Sequence, residues 1–188
     1  MVRAKPPLLL ACLLLSLPLG AAAEHGAAGS SERGWLSELR GGVLAHDVGS
    51  LWSNSRKESG IDFSAEAIGC RVGLGVLWGT LRPNLGVTIN DRGDTSKLYA
   101  GAVWEIRAFG VFFDLAGGGA VHDGRLETSD DDRKELGSRF LFRIGVDLGY
   151  EITPHHRLMV SFDHISNAGL ASPNRGLDTL GARYGYRF

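Results

Sequence analysis

The chain has 188 residues, and 20 Lys and Arg against 21 Asp and Glu give a formal net charge of −1. That balance leaves no basic stripe or patch of the kind nucleic acid requires. No long apolar stretch marks a membrane-spanning helix, so an exported soluble protein and an outer-membrane barrel are the classes left standing.

Residues 1–23 read as a secretory signal peptide: Arg3 and Lys5, an apolar run from Leu8 to Leu19, then Ala21, Ala22 and Ala23. The run is too short for a spanning helix, which needs ~20 apolar residues. Cys12 loosely suggests a lipoprotein cleavage site, but the apolar run continues past it. Cleavage after Ala23 leaves Cys70 as the single cysteine, which excludes an internal disulfide and a paired-cysteine metal site. Residues 24–34, "EHGAAGSSERG", read as a flexible mature N-terminus, and residues 35–188 as one domain.

From there the dominant signal is period two, which marks strands. Segments near 36–46, 60–69, 82–90, 97–108, 110–121, 139–152, 156–167 and 177–188 carry it. In the fourth, Leu98, Ala100, Ala102, Trp104 and Ile106 oppose Tyr99, Glu105 and Arg107. The sixth is the clearest. Phe140, Phe142, Ile144, Val146, Leu148, Tyr150 and Ile152 line one face, against Arg139, Arg143, Asp147 and Glu151. The seventh sets Leu158, Val160 and Phe162 against Arg157, Ser161 and Asp163. The eighth sets Leu180, Ala182, Tyr184, Tyr186 and Phe188 against Thr179, Gly181, Arg183, Gly185 and Arg187.

Several of these segments exceed the usual globular strand of ~5–6 residues and approach the ~9–11 that cross a bilayer. Connectors near 47–59, 91–96, 122–138 and 168–176 are mostly long and polar, whereas 109–110 and 153–155 are tight and 70–81 is ambiguous. Short turns at one end and long loops at the other are the layout of an outer-membrane barrel. A lipocalin-like soluble barrel has the same alternation with the apolar face inward. Opposite charges on the polar face, including Glu66, Glu105, Arg143, Asp147 and Arg183, can pair inside a narrow eight-stranded lumen. The ending "RYGYRF", with aromatics at alternate positions up to Phe188, resembles the C-terminal signature read by the barrel-assembly machinery. The expected fold is therefore an all-β, eight-stranded antiparallel transmembrane β-barrel of the bacterial outer membrane.

The stretch "SFDHISNAGLASPNRGLD", residues 161–178, then acquires an address. With a periplasmic N-terminus, strand seven ends outside near Ser166 and strand eight begins there near Asp178. By parity His164 and Ser166 continue the lipid-facing series of Leu158, and Asp178 heads that of Leu180. Three polar groups on one lipid-facing patch are costly unless they have partners. A nucleophile, a base and an orienting acid account for them: Ser166, His164 and Asp178. Histidine suits the proton transfer because its ordinary pKa lies near neutrality, and Asn167, or a backbone N–H near it, is the available oxyanion donor.

This H-x-S-N-A, followed by Pro-Asn-x-Gly and an acid fourteen residues after the histidine, resembles the lipid A 3-O-deacylase (PagL) family over His164 to Asp178. The export signal, strand count and aromatic terminus agree along the whole chain. The resemblance implies an eight-stranded outer-membrane esterase that removes the 3-position acyl chain of lipid A. It implies catalytic His164 and Ser166, an oxyanion contribution from Asn167, and no metal cofactor. The family's acid is typically Glu, where this chain has Asp178. The partners that follow are lipopolysaccharide in the outer leaflet, the membrane itself, and the assembly machinery through Phe188; homodimerisation is left open.

Two other readings compete, a non-enzymatic structural or adhesive barrel and an outer-membrane phospholipase. The phospholipases are larger and calcium-dependent, and no acidic cage is tied to Ser166. "SDDDRKE", residues 129–135, reads as a solvated outer loop. His155 and His156 fall in a periplasmic turn, Asn174 and Gly176 shape a loop, and His25, His46 and His122 show no ligand spacing.

Overall fold

The alternation resolves into eight strands: β1 (Leu36–Ala45), β2 (Ile61–Gly69), β3 (Thr80–Asn90), β4 (Lys97–Ala108), β5 (Val111–His122), β6 (Phe140–Glu151), β7 (His156–Ser166) and β8 (Leu177–Arg187). In this computed structural model, residues 35–49, 51–53, 55–72 and 77–188 are described. The expected signal peptide, mature N-terminus and Cys12 lie outside the described residues. Each strand pairs antiparallel with its neighbour in sequence, and β8 pairs with β1 to close the barrel. Closure matters because an unpaired strand edge in hydrocarbon would leave its backbone polar groups unsatisfied. The ambiguous 70–81 connector ends earlier than the pattern suggested, since β3 starts at Thr80.

The two faces of the wall have inverted polarity. Phe63, Leu85, Leu98, Leu115, Leu148, Leu158, Val160 and Tyr184 project outward and are exposed. The lumen holds Glu38, Arg40, Glu66, Arg82, Glu105, Asp114, Arg143, Asp147, Arg157 and Arg183, all buried. An isolated buried charge would be ruinous, so these form a continuous network. Arg157 bridges Glu38 and Glu105, each at 2.7 Å. Arg82 reaches the same two carboxylates at 3.0 and 2.6 Å. Arg40 joins Glu38 at 2.7 Å, Asp114 at 2.7 Å and Asp147 at 2.9 Å. Asp163 receives both Lys97 and Arg143. Two guanidinium groups also lie over rings, Arg143 on Tyr99 at 3.8 Å and Arg157 on Phe112 at 3.4 Å. Arg107 and Arg139 sit exposed on the strand ends, and Arg107 still reaches the network through Glu105 at 2.7 Å.

At the outer end the lumen changes character. Tyr99, Ala120, Leu141, Ile165 and Leu177 meet Leu136 from the β5–β6 loop in a small apolar cluster. This plug anchors the last turn of wall where β7 and β8 leave the charged interior.

Candidate active site

Four outer loops surround that end: L1 (46–60), L2 (91–96), L3 (123–139) and L4 (167–176). The site lies on the outer surface of the β7–β8 ladder beneath them. His164 and Asp178 are directly opposed residues of that ladder. Directly opposed side chains of an antiparallel pair leave the same face with Cβ atoms ~5 Å apart. That spacing brings a short carboxylate to the ring: His164 Nδ1 lies 2.6 Å from Asp178 Oδ1. On its other side His164 Nε2 lies 3.1 Å from Ser166 Oγ, two residues along the same face. An aspartate therefore spans the gap without a longer side chain.

The expected parity holds, since His164 and Ser166 stay on the outward series of Leu158, Val160 and Phe162. The expected environment does not. His164 is 6% exposed and Asp178 0%, so neither faces open lipid. L1 folds back over the outside of the wall and covers them. The Trp52 indole stacks on the His164 ring, with centroids 4.6 Å apart and planes 10° from parallel. The backbone N–H groups of Trp52 and Ser53 donate to Asp178 Oδ2 at 2.9 and 2.8 Å. Val48 N–H donates to the Asp178 carbonyl at 3.0 Å. Ser166 stays half-buried on a cavity of about 410 Å³, beside Phe142 and Ile144 of β6 and Arg175 of L4. Those two apolar residues are the cross-strand partners of Ser166 and His164 respectively.

Asn167 is placed differently from expectation. Its side chain is buried, and its amide donates to the Leu136 carbonyl at 3.0 Å and the Pro173 carbonyl at 2.9 Å. Its Oδ1 accepts Gly169 N–H at 2.9 Å, and its own N–H donates to Asn174 Oδ1 at 3.0 Å. With both amide hydrogens committed, Asn167 organises L4 and has none left for a substrate oxygen. Asn174 shapes the loop, as expected, through that bond. Gly176 does so with a left-handed φ of 58°, where a Cβ would meet His164 Cε1 at 2.9 Å.

A buried ionic cluster holds L1 in place. Lys134 of L3, fully buried, pairs with Asp47 at 2.7 Å and donates to Ser53 Oγ at 3.0 Å. Asp47 Oδ2 accepts the N–H groups of Lys57 and Glu58 at 2.8 and 3.0 Å. His46 bridges Asp62 at 2.8 Å and Glu58 at 3.0 Å. Burial opposes its charge, but hydrogen bonds and attraction from those two carboxylates prevail and raise its pKa to about 9. The run 129–135 is thus only partly a solvated loop: Asp130, Asp131 and Asp132 are exposed, whereas Lys134 is a buried tie. Neither Lys134 nor His46 carried a spacing signal, because their partners lie far away in sequence.

Fold and site together define a class, a small outer-membrane barrel bearing a linear Ser–His–Asp hydrogen-bond chain on its outer rim. The chain belongs to the lipid A 3-O-deacylase (PagL) family, whose model matches residues 66–187. It is 34% identical over 96 residues to a lipid A deacylase PagL of Bordetella bronchiseptica. That match covers 47% of this chain and 52% of the relative, about half the relative's length. The crystal structure of the outer membrane enzyme PagL superposes with a TM-score of 0.55 at 19% identity, covering 79% of this chain and 99% of that one. The N-terminal β-barrel of Pseudomonas aeruginosa OprF gives a TM-score of 0.52 at 11% identity, covering 81% and 98%. At such identities the superpositions speak for the eight-stranded barrel fold alone.

Proposed function

We propose that this protein is an outer-membrane serine esterase that hydrolyses the 3-O-linked acyl chain of lipid A. The observation that carries the reading is the hydrogen-bond chain from Ser166 Oγ through His164 to Asp178, with contacts of 3.1 and 2.6 Å on the membrane-facing side of the rim. Family membership supplies the substrate class.

Ser166 Oγ attacks the ester carbonyl while His164 Nε2 takes its proton. The imidazolium so formed is held by Asp178, which also fixes the ring with its N–H on Nδ1. His164 then returns the proton to the departing sugar oxygen, leaving the acyl group on Ser166. A water, deprotonated by the same imidazole, releases the fatty acid. The tetrahedral intermediates need a donor. Ala168 lines the Ser166 cavity two residues from the nucleophile, so we assign that role to its backbone N–H. Phe142 and Ile144 offer the departing chain an apolar bed beside the nucleophile. A site on the outside of the wall suits a substrate already held in the outer leaflet, where proximity comes from the membrane.

Purified, refolded protein should remove one 3-hydroxyacyl group from lipopolysaccharide, read by mass spectrometry of the lipid A. Ser166→Ala should keep its barrel and its heat-modifiable migration on gels and lose that reaction. Undiminished activity in Ser166→Ala would sink the assignment of the nucleophile.

A further inference from the structure

In the triad the acid normally both orients the imidazole and stabilises its charged form. Here a third element acts on both groups. One dipeptide of L1, Trp52–Ser53, supplies two N–H donors to Asp178 Oδ2 and an aromatic face to His164. Asp178 is wholly buried, so its second oxygen has no water to turn to and depends on these two donors. We infer that Trp52 is a positioning residue for the esterase: it holds the His164 ring in register with Ser166 and favours the imidazolium that forms during the reaction. This rests on the esterase reading above.

The physical need is specific to an outward-facing site. A histidine on the outer face of a barrel has no packed core behind it, and its ring is free to turn about two bonds. A parallel stack at 4.6 Å closes off that rotation on one face. Gly176 lies against the ring edge, where even a methyl group would collide. The flat π face also attracts a cation, and the attraction grows once water is excluded. The other groups facing His164 are Asp178 from β8, Ser166 from its own strand and Ile144 from β6, with Arg175 of L4 on the same cavity. Trp52 is stacked on the ring, while Phe142 lines the same cavity beside Ser166. The indole is still 53% exposed, so its outer edge meets the interfacial layer, which suits an amphipathic ring.

L1 is not free to drift away from this post. Lys134 ties Ser53 through its Oγ and Asp47 through its carboxylate, and Val48 N–H is bonded to the Asp178 carbonyl. The stack is therefore part of a fixed cover.

The test compares Trp52→Leu and Trp52→Phe with the unaltered full-length barrel, using purified lipopolysaccharide and measuring kcat and KM for hydroxyacyl release. Trp52→Leu should lower kcat on the order of tenfold, the scale of one desolvated cation–π contact. KM should stay within about twofold, and Trp52→Phe should recover most of the loss, because a smaller ring still offers a face. A raised KM with unchanged kcat would make Trp52 a substrate-binding surface and overturn the inference. Equal impairment of the two variants would overturn it as well, and so would loss of heat-modifiable barrel migration in either. Normal kinetics in Trp52→Leu, beside an active parent, would overturn this inference alone. A parent that releases no acyl chain would bring down the esterase reading and this inference with it.

Discussion

The mid-height wall and the outer end of the β7–β8 hairpin follow the same strand rule and bury their side chains differently. Along β6, exposed and buried residues alternate from Phe140 to Gly145. At the top of β7 the alternation stops, and Asp163, His164 and Ile165 are all buried; Leu177, Asp178 and Thr179 repeat this across the ladder. In the wall one face meets lipid and the other meets ion pairs. At the rim the outward face has acquired a cover, L1, while the inward face rests on the apolar plug. The lesson is that period two predicts direction but not exposure. Exposure is decided by whatever the loops lay on top.

The sharpest way to separate the two regions is to damage each without touching the other. Asp178→Asn should cut kcat by about 10⁴-fold, because the amide can present an N–H and trap the wrong imidazole tautomer. Barrel migration and thermal stability in detergent should change little by comparison. A fall of less than about tenfold would show that Asp178 does not set the tautomer.

The converse experiment is Arg157→Ala in the lumen. It takes from Glu38 and Glu105, both buried, a guanidinium they share at 2.7 Å, and leaves them Arg82 and, for Glu38, Arg40. Leaving a buried charge alone costs about 3–5 kcal/mol; with Arg82 and Arg40 still in place the loss should be smaller, read as a shift of urea unfolding to lower denaturant. Turnover by the fraction that remains folded should hold, since the network lies on the opposite face of the wall from Ser166.

Lys134→Met tests whether the cover is joined to the chemistry. It removes the bonds to Asp47 and Ser53 while keeping most of the side chain's volume. Activity should fall on the order of tenfold, the scale of one lost charge-assisted bond, and hydrogen exchange in residues 46–60 should quicken. Unchanged exchange would show that L1 is held by other contacts.

The smallest effect is a pH dependence of the same cover. His46 has a pKa raised from 6.5 to about 9, so its folded-state charge favours the closed loop. That contribution is complete below about pH 6.5 and is lost as pH rises through about 9. Exchange protection of L1 should decline across that interval, and His46→Gln should flatten the response. A profile identical in the two proteins would remove His46 from the account.

Much of this molecule was legible in its residues. The eight alternating segments lie within two residues of the strands at each boundary, because a wall with lipid on one side and charges on the other leaves little freedom in sequence. His164, Ser166 and Asp178 could be found because their spacing and parity put them on one face of one hairpin. Trp52 and Ser53 left no comparable trace, since their contribution is two backbone N–H groups and one ring from a loop more than a hundred residues away. Lys134 was hidden inside an acidic run, where its charge looks like solvation. Asn167 misled for a related reason: an amide beside a serine is an eligible oxyanion donor until the carbonyls of Leu136 and Pro173 claim its hydrogens.

The β1–β8 seam has a temporal consequence. Ser166, His164 and Asp178 all come from the last hairpin, but the cover on Asp178 follows β1. β1 and β8 are neighbours only once the sheet has closed into a ring, with Ala45 paired to Leu180 just below the site. Until that seam forms, Asp178 lacks the donors to its second oxygen and His164 lacks its stacked lid. The covered hairpin is thus complete only in the closed ring, so ring closure and the cover on Asp178 arrive together.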